Sequence, residues 1–366
     1  MSALLPPTDL ERIVSLAELE PLARAMMDPG AFDYVAGGAW DELSLGEAEA
    51  AWRRRRLRPR VLVDVSRIDP STTMAGSSTA LPLAIAPMAA HSLAHPDAEL
   101  ATARAAAAAG IPFTLSTMSS VSIEQVAAAA PGGTNWFQLY TQADPPRTRS
   151  LVERAEAAGY RAILVTVDLP VLGYRERDLR NGFDLAVPHG NFPDEGPDHA
   201  SHDGTTNGGY DIIVGGMDQG LTWSGLATIR GWTSLPILLK GILTAEDARL
   251  AVEHGVDGIV VSSHGARQLD RTVTTADALE EIVAAVGGRT ELWVDGGIRR
   301  GLDVVTAVAL GAGGVLVGRP ILWALAAAGE AGVARALEIL RVETVLAMTL
   351  LGTPTVDDIT RGHVAG

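Results

Sequence analysis

The segment Ser262–Asp270, SSHGARQLD, gathers a histidine, an arginine and an aspartate just after the apolar run DGIVV. An imidazole changes charge near neutral pH and serves as acid or base. A guanidinium grips a carboxylate through paired hydrogen bonds. At a strand end, the two describe a base beside an anion clamp; a polar loop capping a buried strand has the same composition. Other apolar runs end similarly. Ser116, Thr117 and Met118 close one, Gln138 and Tyr140 a second, Thr166 and Asp168 a third; Lys240, Asp295, and Gly318 with Arg319 close three more. Side chains alternate along a strand. Gln138 therefore shares a face with Tyr140, Thr166 with Asp168, and Ser262 with His264, while Leu139, Val167 and Ser263 turn away. One such end is an ordinary cap. Several aimed at one mouth would leave buried groups without partners unless a large polar ligand lies among them.

The elements that must position these residues are eight short apolar runs: LPLAIAPMA from Leu81, IPFTLSTMS from Ile111, NWFQLY from Asn135, AILVTVDLP from Ala162, LPILLKGI from Leu235, DGIVVSSHG from Asp257, ELWVDGGI from Glu291 and GGVLVGRP from Gly313. Between most of them lie stretches with helical spacing, such as DAELATARAAAAAG and AEDARLAVEHG, several ending in glycine. Strand, helix and strand repeated in this way predict parallel strands, and eight of them close most simply into an α/β (β/α)8 TIM barrel. An open doubly wound sheet is the second option, but no G-x-G-x-x-G follows the first strand. The expected organisation is one domain over residues 1–366. It has an N-terminal helical extension at 1–80 and a long loop or lid at 176–234, after the fourth strand.

Composition narrows the class. The net charge of −15 argues against a nucleic-acid surface, so WRRRRLRPR, Trp52–Arg60, is read as a solvated helix end. Zero cysteines exclude disulfides and thiolate metal sites. No apolar run is long enough to span a membrane and no secretory signal is visible, so a cytoplasmic protein is expected. His189, His199 and His202 stand among aspartates in the long loop. Their spacing matches no metal motif, and a polar loop without metal is expected.

The last two runs suggest part of the ligand. DGGIRRG and GVLVGRP pair glycines with Arg299 and Arg319. Glycine lets backbone N–H groups approach an anion, arginine binds phosphate, and the corresponding barrel loops commonly hold one. Lys240 could set a cation against a ring gaining negative charge. A phosphate at one end and a redox ring over the mouth suit FMN.

From FDYVAGGAWDE through LPLAIAPMAAHSLAHPDAE, WFQLY, TVDLPVLGYRERD, LPILLKGILTAEDARLA, SSHGARQLD and DGGIRRG to GRPILWALAAAGEAG, the chain resembles the FMN-dependent (S)-2-hydroxy acid oxidases and dehydrogenases. That family includes glycolate-, lactate- and mandelate-oxidising members. The resemblance implies a role for each matching position. His264 is the base near the substrate's α-carbon, and Asp168 stabilises its imidazolium. Tyr140 hydrogen-bonds the hydroxyl that becomes a carbonyl. Arg267 and Tyr34 hold the carboxylate, supported by Arg175. Backbone at Met88 and Ala89 meets the flavin, and Ser116, Gln138 and Thr166 contact its polar edge. Lys240 faces the reduced ring, with Ser262 beside it. Asp295 takes the ribityl chain; Gly297, Arg299, Gly318 and Arg319 take the phosphate.

Departures from the family pattern sharpen the expectation. Ser263 stands where SNHG is usual, Met118 where glycolate oxidase has an aromatic residue, Val35 where a second tyrosine is usual, and Met88 where a smaller polar residue is usual. Methionine is flexible and apolar. Larger apolar or aromatic 2-hydroxy acids are therefore expected to be favoured over glycolate, with dioxygen as acceptor and hydrogen peroxide as product. A dehydrogenase passing electrons to a quinone or carrier is the alternative. A non-catalytic FMN barrel, and an aldolase using Lys240 as a Schiff base, are weaker ones. A homo-oligomer, a tetramer by analogy, is expected; nucleic acid and membrane are not expected partners.

Overall fold

The computed structural model describes residues 7–183, 185, 189–192 and 216–365. All eight apolar runs contain strands. They are β3 (Leu83–Ile85), β4 (Phe113–Ser116), β5 (Asn135–Leu139), β6 (Ile163–Thr166), β7 (Ile237–Ile242), β8 (Gly258–Val261), β9 (Glu291–Val294) and β10 (Gly314–Val317), following a short hairpin of β1 (Thr72–Met74) and β2 (Ser77–Thr79). The eight strands β3–β10 pair in parallel and close into a barrel, β10 returning to β3. This is the expected (β/α)8 architecture; the open sheet is excluded by the β10–β3 pairing.

Alternation along the strands divides the core in two. Leu115, Phe137, Ile163, Val165, Leu239, Ile259 and Val315 face outward into the layer shared with the helices. Ala84, Trp136, Leu164, Leu238, Val260, Trp293 and Leu316 fill the barrel interior. Trp136 and Trp293 meet there with ring centroids 6.0 Å apart. Gly258 makes this possible: a Cβ on it would come within 2.3 Å of the Trp293 ring. The β1–β2 hairpin adds Met74 and Ala75 to the same cluster. Ala75 N donates to Glu291 Oε2 at 3.1 Å, tying the hairpin to the start of β9. The barrel interior is thus packed solid below the mouth, which leaves the C-terminal strand ends as the place for a ligand.

The N-terminal segment is helical in its first part. Helices Leu19–Met26, Pro29–Ala36 and Leu43–Arg53 form, the second capped by Asp28, whose Oδ1 accepts from Gly30 N at 2.9 Å. Beyond Arg53 the chain is largely irregular until the hairpin. The apolar VLVDV is not a strand: Val61 and Leu62 are exposed. The arginine run is engaged in protein contacts. Arg54 and Arg55 both pair with Asp277, at 2.9 and 2.6 Å, and so fasten this segment to helix Thr275–Val286.

Within the expected lid, Glu176–Asn181 and Leu226–Arg230 are helical. His199 and His202 lie outside the described residues. His189 is half-buried, and burial holds its imidazole below the usual range. Among the described residues, no cluster of metal-binding side chains occurs, and no helix is long and apolar enough to cross a membrane.

Candidate active site

Every residue singled out above for the site, except Asp168 and Ser262, lines one cavity at the C-terminal mouth of the barrel. It holds about 1120 Å³ of empty space counted out to solvent. Asp168 and Ser262 sit just behind its wall, hydrogen-bonded to residues that line it.

On one wall, three strand ends form a chain of hydrogen bonds. Ser116 Oγ donates to Gln138 Oε1 at 3.1 Å, and Gln138 Nε2 donates to Thr166 Oγ1 at 3.0 Å. Thr117 N also donates to Gln138 Oε1, at 3.2 Å, which fixes the orientation of the amide. Nearby, Lys240 Nζ donates to Ser262 Oγ at 2.9 Å and lies 3.3 Å from Asp295 Oδ2; Ser262 Oγ donates to that same oxygen at 3.0 Å. Burial would strip the Lys240 proton, but Asp295 and Asp168 outweigh it and hold the ammonium above its ordinary range. A Schiff-base lysine needs the opposite shift, which disfavours the aldolase alternative.

The opposite side is rich in arginine. Arg319 donates from Nε to Val35 O at 3.0 Å, and from Nη2 to Gly37 O and Gly265 O, each at 2.8 Å. Arg267 donates through Nη1 to Tyr34 O and to Gly37 O, and its guanidinium lies 4.7 Å from the Tyr34 ring centroid. Arg175 Nε donates to Arg267 O at 3.3 Å. Arg299 pairs with Glu49 at 3.1 Å and stacks over Trp323. Burial, with Arg267, Arg299 and Arg175 adding repulsion, pulls Arg319 down to about 9. Such a cluster is relieved by a bound anion.

His264 lines the same cavity. The chain leaves β8 through His264, Gly265 and Ala266, all with positive φ, and this turn lifts the imidazole into the mouth. His264 Nδ1 lies 2.9 Å from Asp168 Oδ1. A carboxylate only accepts, so Nδ1 carries the proton and Nε2 is the basic nitrogen. Nε2 faces the Tyr140 hydroxyl at 3.3 Å. Burial depresses the imidazole's proton affinity; Asp168 opposes this, and Lys240 and Arg175 reinforce it, leaving the net direction downward. Asp168 was expected to raise the histidine; it does contribute in that direction, but burial is the larger effect. Burial also disfavours the Asp168 charge, but His264 and Lys240 outweigh it and keep the carboxyl below its usual range. The result is an ionised aspartate holding a neutral histidine ready to accept a proton.

Several wall residues carry no polar signal in the sequence. Leu169 and Leu172, in the loop after β6, face the cavity beside Met88, Met118 and Val35. Phe183 stacks on Tyr34 at 5.0 Å. Gln268 was legible as a polar residue of the histidine segment but was not assigned a role. Its Nε2 donates to Val171 O at 2.7 Å and Asp168 O at 3.2 Å, pinning the two loops together. Ser263 lines a neighbouring hollow with Gly296 and Trp323 instead of the main cavity.

Comparison with known proteins decides the family: residues 23–366 match the FMN-dependent dehydrogenases. The chain belongs to that family. FMN is its cofactor, and the protein is an oxidoreductase. Among its FMN-dependent relatives, glycolate oxidase 3 of Arabidopsis thaliana is 49% identical over 357 residues, covering 96% of each chain. Glycolate oxidase of Spinacia oleracea is 47% identical over 356 residues, again covering 96% of each. Mandelate oxidase crystallised with (S)-4-hydroxymandelic acid superposes with a TM-score of 0.91 at 47% identity, covering 96% of this chain and 98% of that one.

The residues present suit the cofactor. Asp295 keeps one buried oxygen, Oδ1, without a partner among the described residues, ready to accept from a hydroxyl. The amide chain offers donors and acceptors to a heterocycle edge. Arg299 and Arg319 line the cavity with Gly297 and Gly318, where a phosphate would relieve the arginine cluster.

Proposed function

We propose that the protein oxidises an (S)-2-hydroxy acid to the 2-oxo acid. The observation that carries this reading is the hydrogen-bonded Asp168–His264–Tyr140 series, His264 and Tyr140 lining the cavity with Asp168 behind them, and Arg267 and Arg175 lining the same space. A carboxylate-bearing alcohol needs these groups: cations for its carboxylate, a hydroxyl partner for its oxygen and a base for its proton. FMN, when bound, accepts the two electrons released as the C–OH carbon becomes a carbonyl.

The chain's own residues do the rest. Arg267 and Arg175, with Tyr34, hold the substrate carboxylate and so fix which face meets the cofactor. Tyr140 hydrogen-bonds the substrate oxygen. Its phenol stays protonated because burial and the charge of Asp168 push it above its ordinary range. His264 Nε2 takes the proton that leaves the substrate, and Asp168 stabilises the resulting imidazolium. Because the imidazole's affinity is depressed, the base form persists to lower pH than for an ordinary histidine. The acid limb of kcat/KM should therefore lie below the usual histidine range in a steady-state pH profile.

Met88, Met118, Val35, Leu169 and Leu172 make the substrate side of the cavity apolar. They support a preference for larger apolar or aromatic acids. In a steady-state panel, (S)-mandelate should show a higher kcat/KM than glycolate; glycolate ranking first would overturn this preference. Dioxygen is the proposed acceptor, so turnover in air should release one hydrogen peroxide per 2-oxo acid. Turnover that requires a quinone and yields no peroxide would favour the dehydrogenase alternative.

Lys240 contributes through charge. Replacing it with methionine should lower the midpoint potential of bound FMN by on the order of 60 mV, equivalent to about 3 kcal/mol for a two-electron couple. Potentiometry on the purified holoprotein checks this.

A further inference from the structure

We propose that Gly241 is a positioning residue for catalysis, and that its missing side chain sets where the Asp168 carboxylate stands against His264. The inference rests on the reading of Asp168 and His264 given above.

Gly241 lies near the end of β7, at a break in the ladder. Lys240 registers with Val260 and Ile242 with Val261, so Gly241 is the residue skipped. Its φ is +117°, a conformation that residues with a Cβ strongly disfavour. This bulge sends Lys240 into the cavity wall while laying bare backbone against the neighbouring β6 loop. Asp168 occupies the bared surface. A Cβ on Gly241 would stand 2.5 Å from Asp168 Cγ, 2.6 Å from its Cβ and 2.9 Å from Oδ2. These are distances at which something must move. The backbone of Asp168 has little room to do so: Val167 N donates to Lys240 O at 2.9 Å, and Asp168 O accepts from Gln268 Nε2 at 3.2 Å. The carboxylate itself would have to swing.

The carboxylate is held on one side only. Oδ1 meets His264 Nδ1, whereas Oδ2 is buried without a hydrogen-bond partner among the described residues. Among the described residues, no hydrogen bond to Oδ2 fixes the rotation of the carboxyl. The flat backbone of Gly241 does so by contact. A displacement near 1 Å in a catalytic group can cost about a hundredfold in rate.

The test is a double-mutant cycle on the FMN-loaded enzyme, with melting temperature and flavin absorbance recorded for each variant. Gly241→Ala should lower kcat about a hundredfold with KM within about threefold of wild type. In an Asp168→Ala background, the same substitution should add less than a twofold loss in kcat, because the carboxylate it acts through is gone; the remaining clash with the residue-168 Cβ and the strain at φ +117° should appear in the melting temperature instead. An equal loss in both backgrounds, or no loss in the wild-type background, overturns the inference. Asp168→Glu provides a check that does not require Gly241→Ala to fold. The longer side chain carries its carboxylate away from the position set against Gly241 and His264, so kcat should fall at least thirtyfold with FMN retained; wild-type kcat would overturn the inference. If Asp168→Ala alone costs less than threefold, the reading of the aspartate–histidine pair fails, a result distinct from the others.

Discussion

Replacing His264 with glutamine lowers kcat by about three orders of magnitude while FMN remains bound. General-base catalysis is typically worth about 10² to 10⁴ in rate, and this base is placed to deliver the upper part of that range. Its proton-accepting nitrogen is unambiguous, because Asp168 occupies Nδ1 at 2.9 Å and leaves Nε2 toward Tyr140. Glutamine keeps a polar group of similar reach but has no basic nitrogen. Lys240, Ser262 and Asp295 form their own triangle, held independently of the imidazole. Unchanged flavin absorbance with kcat near wild type would show that another group takes the proton.

Replacing Arg267 with methionine lowers kcat/KM for 2-hydroxy carboxylates by about a thousandfold. Truncating one partner of a buried charged pair costs about 2 to 5 kcal/mol, and a thousandfold loss falls inside that range with Arg175 and Tyr34 still facing the carboxylate. Methionine preserves the bulk of the arginine stem over the Tyr34 ring, which lies 4.7 Å from the guanidinium. It also removes the bonds to Tyr34 O and Gly37 O, so some loosening of the N-terminal segment is expected. The two effects separate by substrate. A neutral 2-hydroxy amide or ester never used the charge, so its kcat/KM should change by less than about tenfold. Equal losses for charged and neutral substrates would assign Arg267 to holding Tyr34 and Gly37 in place instead of gripping the substrate.

Much of the fold was legible because its signal is local. Each barrel strand shows itself as a short apolar run, and seven of the eight strand ends carry polar residues within a few positions, β3 with its Ala86–Ala90 stretch being the exception. Face assignment by alternation succeeded where the backbone stays extended: Gln138 and Tyr140 both line the cavity, and Leu139 packs outward. At Ser262 and His264 the rule reached the right side for a different reason. The chain has already left the strand through a left-handed turn, so the imidazole is placed by that turn. Two kinds of feature were out of reach. One is the grip of arginines on carbonyls more than two hundred residues away, such as Arg267 on Tyr34 and Arg319 on Val35. The other is the apolar contribution of Leu169, Leu172 and Phe183, whose composition is that of any core. VLVDV shows the same limit: an apolar run carries no mark of whether something covers it, and here Leu62 is exposed.

The most direct measurement mixes the FMN-loaded enzyme with (S)-mandelate or (S)-lactate in the absence of oxygen and follows the flavin absorbance near its visible maximum. Rapid bleaching with one equivalent of substrate, appearance of the matching 2-oxo acid and recovery of colour with peroxide on admitting air are the expected results. A holoenzyme whose flavin stays oxidised with every 2-hydroxy acid tested would contradict the proposed reaction and leave an FMN-binding barrel without this chemistry.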